Sequence, residues 1–173
     1  MARIPPLDSN NEPAELKPVF DQLRATRGSV PGMYRALAHQ PAILAAHRAY
    51  FHAALDAGIL PRPFKEKIAW RVARLRGSEY SSASHRRYAL KHGVDEAELA
   101  AMDRGDYSAM APREAAALQF AEAMVREQGA VDDATYNLLQ RHFTPPEIVE
   151  IAALVGIMEL ASALGAVFGL APD

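Results

Sequence analysis

The segment Gly77-Ser78-Glu79-Tyr80-Ser81-Ser82-Ala83-Ser84-His85 places four serines and one histidine within nine residues. On a helix, spacings of three and four bring Ser78, Ser81, His85, Tyr88 and His92 to one face. Imidazole exchanges protons near neutral pH, and hydroxyls can hydrogen-bond a substrate oxygen. The plainer reading is a solvated helix face. Arg86, Arg87 and Lys91 occupy the other side and make a better solvent face, which favours an inward-looking Ser/His/Tyr face. His85 and His92 stand about 10 Å apart along such a helix, too far to share one metal ion. No HxxxH or HxxE pair is completed nearby, so no metal site is expected. A Ser81–His85 nucleophile pair at i, i+4 would lack an evident oxyanion hole, which leaves proton exchange as the better chemistry.

The acid that would tune such a histidine lies one segment earlier. In Phe64–Gly77, Phe64, Ile68, Val72 and Leu75 form an apolar stripe, and Lys67, Arg71 and Arg74 a basic one. Glu66 belongs to neither; it falls with Ala69, Trp70, Ala73 and Gly77 on a face of mainly small residues. Such a face lets another helix approach closely. Two readings stay open at this point. Glu66 is a partly buried acid, raised in pKa by burial, or an exposed one paired with Trp70 or a nearby arginine. His39 and His142 sit near helix ends and read as caps or surface. Met33, Tyr34, Tyr50 and Phe51 read more readily as core than as a ligand box.

The elements that must position these groups are helices. Proline and glycine punctuate the chain, and no stretch alternates with a period of two. Helices are expected from about Pro13 to Ala25, between Pro31 and Pro41, up to Gly58, up to Gly77, up to Gly93, then over four further segments. The last opens at Thr144 as N-cap with Pro145 in the first helical position. The 173 residues fit a single all-α domain spanning 1–173, with 1–30 as an N-terminal arm and first helix and 61–93 as the core motif helices. Half of the residues are hydrophobic and the net charge is −2 with a pI near 6.3, which argues against a nucleic-acid partner. There are no cysteines, so no disulfide, thiolate metal site or thiol redox cycle rests on this chain. The first residues lack an apolar signal core, and a cytoplasmic location is expected. Residues 148–170 are long enough to cross a membrane, but Glu159 near the midpoint would cost on the order of 3 kcal/mol there. A buried helix, and no membrane contact, is the better expectation.

The stretch Leu60–Met102 (LPRPFKEKIAWRVARLRGSEYSSASHRRYALKHGVDEAELAAM) resembles the core of the carboxymuconolactone decarboxylase family, which includes the alkylhydroperoxidase D-like proteins. VPGMYRALAHQPAIL resembles the family's N-terminal pocket helix, and HFTPPEIVEIAALVGIMELASALGAVFGLAPD its C-terminal helix. The resemblance implies an alkylhydroperoxidase D-like helical bundle of about eight helices. It also implies that Glu66 and His85 are the proton-relay pair, and that Ser78 and Ser81 stand where redox-active members carry cysteines. His47 then belongs to a helix bordering the pocket. Tyr88, Trp70 and Glu159 are the further substrate-contact candidates. Many relatives carry an Asn and an Asn-Arg pair where this chain has Glu159, Ser162 and Ala163. That exchange removes a cation and argues against anionic carboxymuconolactone itself as substrate.

Three functions follow as expectations. The first is acid/base chemistry, of decarboxylase, lactone or isomerase type, on a small organic substrate, with His85 and Glu66 at its centre and Ser78 and Ser81 binding substrate oxygen. The second is an alkylhydroperoxidase-like member without thiol peroxidase activity. The third is a small-molecule binder that keeps only the pocket. No cofactor is implied. The last helix is apolar on every side, and the resemblance adds three-fold symmetry, so a homo-trimer or a homo-hexamer of trimers is expected. A light-scattering mass near the 18.9 kDa of one chain would remove that expectation.

Overall fold

The computed structural model describes residues 2–5, 7–8 and 11–172. Among them there are nine α-helices and no strands. In chain order they are α1 (Lys17–Arg27), α2 (Gly32–Leu37), α3 (Pro41–Phe51), α4 (Arg62–Leu75), α5 (Glu79–Lys91), α6 (Glu96–Asp103), α7 (Pro112–Arg126), α8 (Asp133–Gln140) and α9 (Pro145–Phe168). The segment expected as helix from Pro13 begins as a 3-10 turn over Ala14–Leu16, and α3 runs on into a π-helical turn over His52–Asp56.

Local chemistry sets most boundaries. Asp95 caps α6 by accepting the Glu98 amide at 2.7 Å, and Asp132 caps α8 through the Thr135 amide at 2.8 Å. At the start of α9 the Glu147 carboxylate accepts both the amide and the hydroxyl of Thr144, each at 2.8 Å. Gly77 closes α4 with φ +61°, a conformation that costs glycine little. The chain then folds back at once, so α5 lies along α4.

The main core is built on α4, α7 and α9. Ile68, Val72, Leu118, Ile151, Leu154 and Met158 are completely buried there. A smaller core, of Phe20, Leu23, Met33, Tyr34, Leu37, Leu44 and Tyr80, joins the N-terminal helices to the start of α5. Of the basic stripe of α4, Lys67 and Arg71 are covered, while Arg74 is exposed and pairs with Asp103. Lys67 pairs with Glu98 and Glu114, and Arg71 is buried against Glu122. Covering helices α6 and α7 bring acids over these cations.

The entry to α4 is clamped to α9. Glu150 accepts the amides of Ile59 and Leu60 at 2.7 and 3.2 Å and pairs with the buried Lys65 at 2.8 Å. The Lys65 ammonium also donates to the Ala57 carbonyl. Gly58, at φ +92°, packs so closely on the Glu150 carboxylate that a Cβ would collide with it. Helix α9 is long and apolar enough to cross a membrane by length and composition, and 44% of its most apolar stretch is buried within the subunit. Val149, Leu160 and Val167 remain exposed on it.

Candidate active site

A cavity of about 60 Å³ opens at the seam between the two cores. His85, from the middle of α5, lines it. Its Nδ1 lies 2.7 Å from Oε2 of Glu66, which is wholly buried on α4. Of the two readings of Glu66, burial is the observed one, but with an arginine partner and without the raised pKa expected of it, and Ala69 and Ala73 supply the small surface that admits α5. With Nδ1–H donated to the carboxylate, Nε2 is the nitrogen left for the cavity.

Arg62 completes the pair. Its Nε donates to Glu66 Oε1 at 2.7 Å, one helical turn before the acid, and its guanidinium also pairs with Asp56 from the π-helical turn. Burial pushes the Glu66 carboxyl upward. The hydrogen bond and charge of His85, together with the Arg62 guanidinium, outweigh it and hold the group below its ordinary value. Glu66 is thus a carboxylate across the neutral range, an orienting base partner and not a proton donor.

Ser81 is buried and lines the cavity beside His85, with Ser84 one turn on. Tyr88 lines it too. Three guanidinium groups gather on the Tyr88 ring: Arg87 at 5.3 Å, Arg62 at 5.9 Å and Arg27 at 6.0 Å. All three arginines border the cavity. Three guanidinium groups thus stand at the cavity although α9 brings none, and two of them, Arg27 and Arg62, also pair with Asp56.

On the other side His47 lines the cavity, stacked on Phe51 at 6.0 Å and met edge-on by Tyr34 at 5.9 Å. Met33, Tyr34 and Phe51, expected as core, line the cavity as well. Tyr80 also borders it, its hydroxyl accepting the Met33 amide at 2.9 Å.

Four expectations need correction. Ser78 is not among the residues lining the cavity; it is the N-cap of α5, its hydroxyl accepting the Ser81 amide at 3.3 Å. Trp70 faces a separate surface depression, with the Arg74 guanidinium over its ring at 6.0 Å. Glu159 also stays outside the cavity and pairs with Arg76. His92 closes α5 in solvent, so the serine-histidine face is buried only over its first two turns. Arg62, Arg27 and Asp56 were missed. The i, i+4 spacing of Arg62 and Glu66 was the available signal.

Among the described residues no cluster of three or more acids, histidines or cysteines could hold a metal ion. The chain has no cysteine, so the positions held by Ser78 and Ser81 carry hydroxyls alone.

Comparison with known proteins agrees with this picture. No curated protein matches the chain. Among solved structures, it is similar to the alkylhydroperoxidase AhpD core of a peroxidase-related protein from Ralstonia eutropha, with 22% identity and a TM-score of 0.88 over 99% of this chain and 92% of that one. A peroxidase-related protein from Silicibacter sp. gives 22% identity and a TM-score of 0.87 over 99% and 90%. A variant of the debrominase Bmp8, in complex with 2,3,4-tribromopyrrole, gives 23% identity and a TM-score of 0.86 over 100% and 92%. At these identities the likeness is one of fold. Residues 41–123 match the carboxymuconolactone decarboxylase family, and that segment holds His47, Glu66 and His85. The chain accordingly has an alkylhydroperoxidase D-like fold, matches the carboxymuconolactone decarboxylase family over residues 41–123, and carries no redox cysteines.

Proposed function

We propose that this protein is an acid/base enzyme that moves a proton on a small organic acid, lactone or enolisable ketone. The observation that carries the reading is the 2.7 Å contact between buried Glu66 and His85 at the wall of a cavity. Glu66 fixes the tautomer with the proton on Nδ1, so Nε2 presents a lone pair to the substrate. Nε2 takes a proton from a substrate carbon or hydroxyl, and the electron pair stays on the substrate. The imidazolium so formed lies against a carboxylate that Arg62 holds ionised. The same Nε2 returns the proton at the original or a neighbouring atom. On this reading Ser81, which lines the cavity, hydrogen-bonds the substrate oxygen, and Arg27 and Arg87 hold a carboxylate at the mouth.

Thiol peroxidase chemistry has no thiol to work with here. A screen of small acids, lactones and enones should find a turnover with a pH-dependent rate. His85→Ala should lower it by about a hundredfold to ten-thousandfold, the usual contribution of a positioned base. An alkyl hydroperoxide with a dithiol should give only the buffer rate. Turnover that survives in His85→Ala, or hydroperoxide turnover well above buffer, would refute the assignment.

A further inference from the structure

The cavity holds a second buried imidazole that the proposed proton transfer does not use. His47 is 7% exposed, and neither of its ring nitrogens has a hydrogen-bond partner among the described residues. One ring face is taken by Phe51, and Tyr34 meets the ring edge-on. A neutral imidazole carries one donor and one acceptor, and leaving both unmade in a buried place is costly. Burial lowers the tendency of His47 to take a proton, so it is neutral at pH 7. Among the described residues no carboxylate pairs with His47 to offset this.

The charged groups sit elsewhere on the wall. Arg62 holds Glu66 beside His85, and Arg27 and Arg87 join it around Tyr88. Phe51 touches both imidazoles, at 6.0 Å from His47 and 6.2 Å from His85. The cavity therefore has a cationic side next to His85 and an uncharged, aromatic side at His47.

We propose that His47 is a specificity-determining residue: its ring edge hydrogen-bonds an uncharged polar group, a hydroxyl or carbonyl, on a small acid whose carboxylate lies on the arginine side. The proposal rests on the reading of this cavity as the substrate site of His85. It adds a substrate class to that reading, a small carboxylic acid with a hydroxyl or carbonyl toward its far end. A site built to hydrogen-bond such a group discriminates against the analogue lacking it, because its own buried polar atoms are then left unpaired.

The test uses the full chain and two probes, 4-hydroxybenzoate and benzoate, followed by calorimetry and by the imidazole nitrogen resonances of the protein. The hydroxylated probe should bind about tenfold more tightly. Its binding should move the His47 ring-nitrogen signals, and benzoate should leave them in place. His47→Phe keeps a flat ring between Tyr34 and Phe51, and should abolish the preference while changing benzoate affinity by about twofold or less. Should that variant fail to fold, the wild-type resonances decide alone. Equal affinity for the two probes, absence of binding by either, or a preference that persists in His47→Phe overturns the proposal. His85→Ala separates the two readings. Its turnover tests the proton transfer, and its hydroxyl preference, which should persist whatever that result, tests His47. A catalytic His85 beside an indifferent His47 sinks only the present inference.

Discussion

Helix α4 carries arginines into two buried carboxylate networks, and the two end differently. At its start, Arg62 and His85 meet on Glu66. Near its end, Arg71 reaches Glu122 on α7 at 2.7 Å, where the Tyr107 hydroxyl also donates. Arg126 adds a further cation to Glu122 at 2.9 Å. Both acids are shielded from water, and both hold an arginine. The third partner separates them. Burial, and then the bond to Glu122, push the Tyr107 phenol well above its ordinary range, so this network exchanges no proton near neutrality. None of its members lines the cavity beside His85. The Glu66 network instead ends in an imidazole with one nitrogen toward a cavity. The same paired charges serve cohesion in one place and, on the proposed reading, proton transfer in the other.

Three substitutions sharpen that contrast, and they are ordered by expected effect. Glu122→Ala strands Arg71 in the interior and should cost about 3–5 kcal/mol of stability in denaturant unfolding, with turnover per folded molecule unchanged. A loss of turnover with full stability would put the second network in the chemistry and end the contrast. Glu66→Gln keeps the shape but removes the charge, and should lower turnover by about a hundredfold through loss of tautomer control.

Glu66→Gln carries a pH signature as well. The folded carboxyl titrates below its ordinary value of 4.5, so Glu66 adds stability that is complete above that pH. That stability is lost as the pH falls through the depressed folded value. Melting curves of wild type and Glu66→Gln should therefore differ at pH 6 and converge toward pH 3. A constant gap across that range would mean that the charge of Glu66 contributes nothing to folding. The smallest effect belongs to Ser78→Ala, an N-cap loss of about 1 kcal/mol with turnover intact. A large loss of turnover there would return Ser78 to the chemistry.

Much of the pair at the first site was legible before any coordinates. A small-residue face on one helix, a tight glycine turn and a histidine two turns into the next helix bring an acid and an imidazole together. Arg62 was legible too, through its i, i+4 spacing, but a wheel sorted by residue class hides such contacts. The burial of Lys67 and Arg71 was not legible, because a single helix shows only its own stripe. The acids that cover them, Glu98, Glu114 and Glu122, arrive on α6 and α7. Asp56 depends on a π-helical turn that shifts the register after Phe51, and helical periodicity carries no sign of it. The exposed apolar side chains of α9 match an all-round apolar pattern, yet the pattern misplaced Glu159, whose partner Arg76 sits in the α4–α5 turn.

The clamp between Glu150 and the turn at Gly58 has a consequence for how the site comes into being. Arg62, and through it the orientation of Glu66, follows a turn whose amides are tied to α9. The family-matching segment ends at residue 123, well before that tie. During synthesis the acid and the imidazole leave the ribosome first, and the carboxylate that anchors their turn follows some 65 residues after His85. The pair can meet as a hairpin beforehand, but its final alignment waits for the closing helix. A fragment ending at residue 123 would carry His47, Glu66 and His85 without the Glu150 anchor that sets the entry to α4.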